Sequence, residues 1–288
     1  MKQYSSTIAL IKNSRGIYGL DTSIGCSSGM ETPGGCYGDC YAAKSAKLYG
    51  YDFSKTVLRK FTSEKHKREI VAQIDKIKLD FVRIGCSGDP SENWDHCISI
   101  LNVIARSNKE IVIITKHWTL LTDQQLQYLS TINVCINTSV SALDELSQLQ
   151  RNLAQYNRIK PYCKSVLRIV SCDFNTENIE GYRMHLIQQQ LFANEAVIDT
   201  VFRPSKTSQY IANGIVNTKV GVFNGHKALM SKYNRKTYTG KCASCKEMCG
   251  VRVPVENSFH NKRSLTKQLT LDVSQNKTNT GKNEIHFR

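Results

Sequence analysis

Three cysteines lie close together near the start of this 288-residue chain. Cys26, Cys36 and Cys40 are separated by nine and then three residues, inside a glycine-rich stretch that runs from Gly25 to Ala42. Glycine and proline favour a loop with unusual dihedral angles over a helix or a strand. Thiolates are soft metal ligands, and a loop can bring three of them to one point. The pattern therefore predicts a metal centre whose three cysteines leave one coordination position free.

The metal that such a centre would hold is not fixed by the spacing alone. Cysteines spaced in this way usually ligate an iron–sulfur cluster, and zinc is the main competitor. Zinc ligands usually come in pairs about two to four residues apart. Only Cys36 and Cys40 fit that spacing, and no histidine lies nearby in the sequence. The sequence favours iron–sulfur, and leaves zinc and cysteines without metal as alternatives.

A second group of cysteines lies near the other end of the chain, at Cys242, Cys245 and Cys249. A Cys-x2-Cys-x3-Cys run in a short polar segment bounded by glycines is typical of metal ligation. It predicts a second metal centre, which is either an auxiliary iron–sulfur cluster or a zinc site. For zinc, His226, His260 or a distant cysteine would supply the fourth ligand.

The amino-acid composition predicts an intracellular globular protein. Eleven cysteines are many for a chain of this length, and in a reducing compartment clustered cysteines are expected to bind metal rather than form disulfides. Hydrophobic residues make up 40% of the chain, which suffices for a packed core. The sequence has neither an apolar run of about eighteen residues nor the apolar segment of a signal peptide. We therefore expect a cytoplasmic protein with no membrane partner.

Basic residues are in excess, with 39 Lys and Arg against 24 Asp and Glu and a net charge of +15. The last 59 residues, from Met230 to Arg288, hold twelve basic and four acidic residues, so +8 of this charge lies there. Such a bias suits a nucleic acid or nucleotide partner. A lysine-rich solvated surface without a polyanion partner explains it about equally well.

Strand and helix patterns alternate after the first cysteine group. Good helix formers begin at Tyr41, directly after Cys40, so we expect a helix whose positive dipole end faces the loop. Near-continuous apolar segments such as 110–116 indicate strands covered on both faces. Repetition at intervals of about 30 residues indicates βαβ units. The sequence predicts an α/β fold, a partial (β/α)6-type TIM barrel over residues 1–225, with a cysteine-rich basic C-terminal extension over 226–288 and a flexible tail.

A three-cysteine loop ahead of a run of βα units resembles the radical S-adenosylmethionine (radical SAM) superfamily. The resemblance implies that Cys26, Cys36 and Cys40 hold a 4Fe–4S cluster whose fourth iron binds SAM. It implies an external electron donor and cleavage of SAM to methionine and a 5′-deoxyadenosyl radical, which abstracts hydrogen from a substrate. The family usually has shorter gaps between its cysteines and an aromatic residue where Asp39 stands. The Cys-Tyr-Ala ending is similar to phage-borne radical-SAM-like proteins and to relatives of spore photoproduct lyase.

The resemblance also implies roles for polar residues at the predicted strand ends. The glycine-rich run from Gly85 to Pro90 is similar to the family's motif that receives the methionine amino group. The residues implied for SAM binding are Tyr41, Ser87, Gly88, Asp89, Lys116, Asn137, Ser139, Arg168 and Arg203. The candidate catalytic residues are two possible hydrogen donors, Cys86 and Cys135. Structural alternatives stand beside these roles, with Asp89 as a helix cap and Lys116 as a surface lysine.

Together these observations favour a radical SAM enzyme that acts on a nucleic acid or nucleotide. Two alternatives stay open. One is a zinc-stabilised nucleic-acid-binding protein without catalysis, which explains the charge and the cysteines but leaves the barrel pattern unused. The other is a radical SAM enzyme that modifies a peptide. The motifs of serine hydrolases, phosphate-loop nucleotidases and zinc proteases are missing from the sequence.

Overall fold

In a computed structural model, which describes residues 2–255, the chain alternates strands with helices from the first cysteine group onward. The strands are β1 (Ile11–Lys12), β2 (Tyr18–Gly19), β3 (Ser23–Ile24), β4 (Val57–Leu58), β5 (Phe81–Ile84), β6 (Glu110–Thr115), β7 (Val134–Val140), β8 (Lys164–Ser171), β9 (Asp173–Phe174), β10 (Val197–Val201), β11 (Val216–Asn217), β12 (Lys219–Phe223) and β13 (His226–Met230). The α-helices are α1 (Tyr41–Leu48), α2 (Glu64–Asp75), α3 (Trp94–Ile104), α4 (Asp123–Leu129), α5 (Leu146–Ile159), α6 (Ile179–Phe192) and α7 (Gln209–Ala212). Short 3₁₀ turns occur at Ser28–Glu31, Cys36–Gly38, Pro90–Glu92, Cys242–Ser244 and Met248–Gly250.

A seven-stranded, mainly parallel sheet forms the centre of the fold, in the order β1-β2-β5-β6-β7-β8-β10. Every neighbouring pair from β2 to β10 is parallel, and β1 pairs antiparallel with β2 at one edge. The parallel strands therefore stand in the sheet in the order in which they occur in the chain. No described strand joins β10 back to β1, so the sheet is open. The predicted α/β fold with a parallel sheet is confirmed at this level.

Helices pack against one face of the sheet. Val82 of β5 and Ile111 and Ile113 of β6 lie in one buried cluster with apolar residues of α2 and α3. Ile70 and Ile74 are four residues apart on α2, so their side chains lie on the same face of the helix, and both belong to this cluster. A second cluster joins α5 and α6 to β7 and β8. The strands are apolar on this face because the helices exclude water from it.

The other face of the sheet is covered in part by the second cysteine group and its neighbours. The buried cluster here consists of Ile17, Phe81, Val112, Cys135, Val166, Ile198, Cys242, Met248 and Cys249. Asn137 Nδ2 donates a hydrogen bond of 3.0 Å to the carbonyl oxygen of Cys249. The C-terminal cysteine segment therefore forms part of the core under the sheet.

Two further findings concern regions outside the central sheet. The strand β12 pairs antiparallel with β13 in a separate hairpin. None of the helices within residues 2–255 combines the length and apolar character needed to span a bilayer. His260 and the tail that the sequence predicts to be flexible lie outside the described residues.

Candidate metal and cofactor site

A cleft of about 740 Å³ opens at the carboxyl ends of the central strands. Cys26, Cys36 and Cys40 all line it, together with residues at the ends of β5, β6, β7, β8 and β10. Side chains from the first loop and from distant strands therefore meet in one place, as the parallel sheet predicts. A cleft of this volume is of the size that takes a nucleotide-sized ligand.

Glycines shape the loop that carries the first cysteine group. Gly34, Gly35 and Gly38 have φ angles of 82°, 80° and 68°, a region that other residues rarely adopt. A β-carbon on Gly35 would lie 2.5 Å from the β-carbon of Cys40. The loop then passes directly into α1, whose start at Tyr41 confirms the sequence prediction. The glycines thus allow the backbone at Gly35 to lie against the side chain of Cys40.

Glu92 fixes the first part of the loop, next to Cys26. Its carboxylate accepts hydrogen bonds from Ser27 Oγ at 2.6 Å, from the backbone N–H of Ser28 at 2.9 Å and from Cys26 Sγ at 3.4 Å. Burial raises the pKa of the Cys26 thiol, and the charges of Asp89 and Glu92 raise it further. The metal-free Cys26 is therefore a protonated thiol that donates to Glu92.

Partial burial raises the pKa of Cys36 to about 11, against the opposing effect of Lys116. Both this cysteine and Cys26 therefore need a nearby positive charge to become thiolates at neutral pH. A metal centre supplies such a charge, because coordination deprotonates a thiol outright. The loop offers three sulfur donors, which are the soft ligands of zinc and iron–sulfur centres.

The cysteine groups can also be compared with the arrangement that ligands take around one metal ion. Within residues 2–255, no three or more His, Cys, Asp or Glu side chains converge as they would around one ion. In an iron–sulfur cluster the thiolates bind different iron atoms, so they lie farther apart than ligands of one ion. The presence of metal at either group stays a prediction.

Asp21 organises the glycine-rich end of β5, which faces the loop. Its carboxylate accepts hydrogen bonds from the backbone N–H groups of Gly85 at 3.1 Å, Cys86 at 2.6 Å and Ser87 at 2.9 Å. A β-carbon on Gly88 would lie 2.4 Å from the carbonyl oxygen of Ser23, so only glycine fits there. Sequence reasoning missed Asp21 because it lies more than 60 residues before the loop that it supports.

Asp89 is buried and acts as a cap. Its carboxylate accepts from the backbone N–H of Lys116 at 2.7 Å, from Thr115 Oγ1 at 2.7 Å and from the backbone N–H of Ser91 at 2.9 Å. These bonds join the end of β5 to the end of β6 and begin the turn at Pro90–Glu92. Asp89 lines the cleft, but most of its hydrogen-bonding capacity is used within the protein.

Lys116 is a buried residue and not a surface lysine. Its Nζ donates to Asp144 Oδ1 at 2.5 Å and to the hydroxyl of Tyr37, which lies between Cys36 and Cys40. The side chains of Lys116 and Asp144 are 9% and 6% exposed, so little water screens the pair. Lys116 therefore ties the end of β6 to the cysteine loop. Asp144 follows β7 without any motif, and the sequence gives no signal of its role.

Tyr41 and Cys86 contact each other across the cleft wall. The Tyr41 hydroxyl donates to the carbonyl oxygen of Cys86 at 2.6 Å, and Arg83 Nε donates to Cys86 Sγ at 3.1 Å. Burial raises the pKa of Cys86 to about 11, and Asp21 adds to the effect against the opposing charge of Arg83. Cys86 therefore presents a neutral thiol to the cleft.

The remaining predicted residues divide into two sets. Ser87, Gly88, Ser139, Arg168 and Arg203 line the cleft with the cysteines. Asn137 and Cys135 do not: Asn137 bonds to the Cys249 carbonyl oxygen, and a β-carbon on Gly250 would lie 3.1 Å from Cys135 Sγ. Both lie before Ser139 on β7, where the C-terminal cysteine segment covers the sheet.

The second cysteine group lines a cavity of its own. Cys242, Cys245 and Cys249 surround a space of about 40 Å³, with Arg83 and Arg168 between it and the cleft. A space of this size holds little more than a few water molecules. The two groups therefore face different cavities, and only the first faces one that admits an organic ligand. No family model matches the chain, and no curated protein matches it either.

Proposed function

We propose that this chain is a radical SAM enzyme in which Cys26, Cys36 and Cys40 hold a 4Fe–4S cluster and SAM binds in the adjoining cleft. The observation that carries the proposal is the shared lining of one cleft by all three cysteines and by the glycine-rich end of β5. A three-thiolate centre beside a ligand-sized cleft leaves a coordination position for a ligand.

The arrangement of the sheet supports a partial (β/α)6 barrel. Six parallel strands follow one another in chain order, helices pack on one face, and the cleft lies at the carboxyl ends. Barrel enzymes of this kind carry their sites at that end, on the loops that follow the strands. Under this proposal, the loop after β2 carries the cluster and the loop after β5 carries the backbone contacts to SAM.

The cluster and SAM, when bound, would supply reductive cleavage of the sulfonium and hydrogen abstraction from the substrate, with electrons from an external donor. The chain's own residues bind, orient and shield. Lys116 positions the loop through Tyr37, and Asp21 holds the β5 end. When SAM is bound, Ser139 would contact its ribose and Tyr41 would lie against its adenine.

Cys86 is the hydrogen donor that this geometry favours, because its neutral thiol faces the cleft. The second cysteine group would hold an auxiliary iron–sulfur cluster or zinc and stabilise the fold beneath the cleft. We further propose a nucleic acid or nucleotide as the substrate, on the basis of the chain's net charge of +15.

Anaerobic reconstitution with iron and sulfide tests this function. We expect a brown protein that releases methionine and 5′-deoxyadenosine from SAM after reduction with dithionite. Cys36→Ala and Cys40→Ala are each expected to lose this cleavage. Cys97→Ala serves as the matched control, since this buried cysteine lies among the helices and away from the cleft. A colourless protein that holds stoichiometric zinc and leaves SAM intact would refute the proposal.

A further inference from the structure

Four arginines meet where the cleft adjoins the small cavity. Arg15, Arg83 and Arg168 line both spaces, and Arg203 lines the cleft. Within residues 2–255, none of the four forms an ion pair with a carboxylate. Guanidinium ions that gather without a direct ion pair repel one another in a partly buried site, and this repulsion costs free energy. Such a group indicates that an anion completes it.

Aromatic rings hold two of these arginines in place at the cleft wall. The guanidinium carbon of Arg203 lies 4.0 Å from the ring centre of Phe223 and 5.6 Å from that of Tyr41. The guanidinium carbon of Arg15 lies 4.8 Å from the same Phe223 ring. Stacking uses the faces of the guanidinium ions and leaves N–H groups at their edges available to a ligand. The β12–β13 hairpin supplies Phe223 and thereby places both arginines.

The arginines differ in how much hydrogen-bonding capacity they have left. Arg15 donates through Nε and Nη2 to the carbonyl oxygen of Gly240, at 3.2 Å and 2.8 Å. Arg83 donates to the thiol of Cys86. Burial lowers the pKa of Arg203, and repulsion from Arg15 and Arg168 adds to this effect against the opposing effect of Tyr41. A bound anion would relieve that repulsion.

Two carboxylates interact with Arg168 from the side of the small cavity. Asp199 and Glu247 line the small cavity with the second cysteine group and are not part of the cleft lining. Asp199 also accepts hydrogen bonds from Ser171 Oγ at 2.5 Å and from Thr237 Oγ1. These acids therefore compensate charge on the small-cavity side of the arginines. The cleft lining has two carboxylates, Asp39 and Asp89, and both have partners of their own: Asp39 pairs with Lys44 Nζ at 2.5 Å, and Asp89 accepts from the backbone N–H of Lys116 at 2.7 Å.

We infer that Arg15, Arg168 and Arg203 form a binding site for a phosphoryl group of the substrate. A phosphoryl group carries up to two negative charges and several acceptor oxygens, which match converging guanidinium forks better than one carboxylate does. Asn224 and His226 of the hairpin that carries Phe223 also line the cleft. The inference rests on the proposed function only in placing this group next to the cofactor, because phosphate binding itself needs no cluster.

Equilibrium binding to the full chain tests the site without added iron, sulfide or SAM. The probes are fluorescent AMP, the matching adenosine without phosphate, and a short single-stranded oligodeoxynucleotide. We expect AMP or the oligonucleotide to bind at least about tenfold more tightly than adenosine, as for charge-assisted hydrogen bonds. Preference for AMP indicates a free nucleotide as the source of the phosphoryl group, and preference for the oligonucleotide indicates a nucleic acid.

Variants assign this binding to the arginines. Arg203→Gln and the double variant Arg15→Gln/Arg203→Gln are expected to weaken it about 10- to 100-fold, with Arg203→Lys between these and the original chain. The control is Lys76→Gln/Lys78→Gln, which removes the same charge from exposed positions before β5. For the oligonucleotide, the slope of log K against log salt should fall by about 0.7 for each lost phosphate contact.

Three results would overturn the inference. The first is equal binding of adenosine and both phosphorylated probes. The second is equal weakening by the lysine control, which would show a general charge effect. The third is loss of SAM binding in Arg203→Gln with unchanged AMP and oligonucleotide binding, which would assign the arginine to the cofactor carboxylate. Since SAM is absent from the main titrations, failure here and failure of the radical SAM proposal are separate results.

Discussion

The two cysteine groups have similar sequence patterns but lie in different environments. Cys26, Cys36 and Cys40 line an open cleft of about 740 Å³ at the strand ends. Cys242, Cys245 and Cys249 line a cavity of about 40 Å³, and two of them are buried in the apolar cluster under the sheet. Spacing predicts that cysteines bind metal, but it does not tell an accessible centre from an enclosed one.

This difference assigns different tasks to the two groups. A centre that reacts with a cofactor needs room for that cofactor, which only the cleft provides. A centre enclosed in the core can contribute binding free energy to folding but cannot admit an organic substrate. The loop group should therefore control activity, and the C-terminal group should control stability.

The largest expected effect separates these tasks directly. Cys40→Ala should abolish SAM cleavage, because an alanine removes one of three proposed ligands, and should leave the melting temperature of the metal-free chain nearly unchanged. Cys249→Ala should lower the melting temperature and keep measurable cleavage. Cleavage assays and thermal unfolding monitored by circular dichroism compare the two variants. If Cys40→Ala instead lowered the melting temperature and Cys249→Ala abolished cleavage, the roles assigned to the two groups would be wrong.

Lys116→Met should destabilise the cleft side by about 3–5 kcal/mol, because it leaves the buried carboxylate of Asp144 without its cation. Urea unfolding measures the loss of free energy. The double variant Lys116→Met/Asp144→Asn removes both charges and should recover part of the loss. An unfolding free energy equal to that of the original chain would show that the pair does not anchor Tyr37.

Met248→Ala tests the opposite side of the sheet. Met248 is 9% exposed within the cluster under the strands, and the truncation should cost about 2–5 kcal/mol. Met30→Ala is the matched control, because Met30 lines the cleft wall and is only partly buried. Similar losses in urea unfolding for the two variants would contradict the assignment of the C-terminal segment to the core.

Lowering the pH should reduce the free energy of unfolding through His117, which follows Lys116 and is fully buried. Burial lowers the pKa of His117 from 6.5 to about 3, so the folded chain holds a neutral imidazole where the unfolded chain binds a proton. Stability from this group is present above pH 6.5 and is lost as the pH falls towards 3. Relative to the original chain, His117→Gln should show a shallower fall in unfolding free energy over this range. Parallel curves would exclude His117 as the source.

Local patterns in the sequence predicted much of the fold and part of the site. The helix that the helix formers after Cys40 predict is confirmed at Tyr41–Leu48. Apolar strands in chain order gave the parallel sheet. These features depend on neighbouring residues, which a sequence displays directly.

Long-range contacts account for what the sequence could not predict. Asp21, Glu92 and Asp144 each act on residues far away in the chain, and no spacing rule connects them. The C-terminal cysteine segment covers part of one face of the sheet. Asn137 and Cys135 contact this segment, whereas the sequence predicted that they take part in cofactor binding and catalysis. Only the folded structure shows which polar side chains are exposed to solvent and which form hydrogen bonds with the backbone.

Paramagnetic resonance of the reduced, reconstituted chain tests the central claim most directly. The measurement uses the variant Cys242→Ala/Cys245→Ala/Cys249→Ala, so that any cluster signal comes from the first group. If this variant fails to fold, the full chain is compared with Cys36→Ala instead. The account predicts a 4Fe–4S signal that changes when SAM is added and is absent without Cys36. A signal that does not respond to SAM, or one that survives Cys36→Ala unchanged, would contradict it.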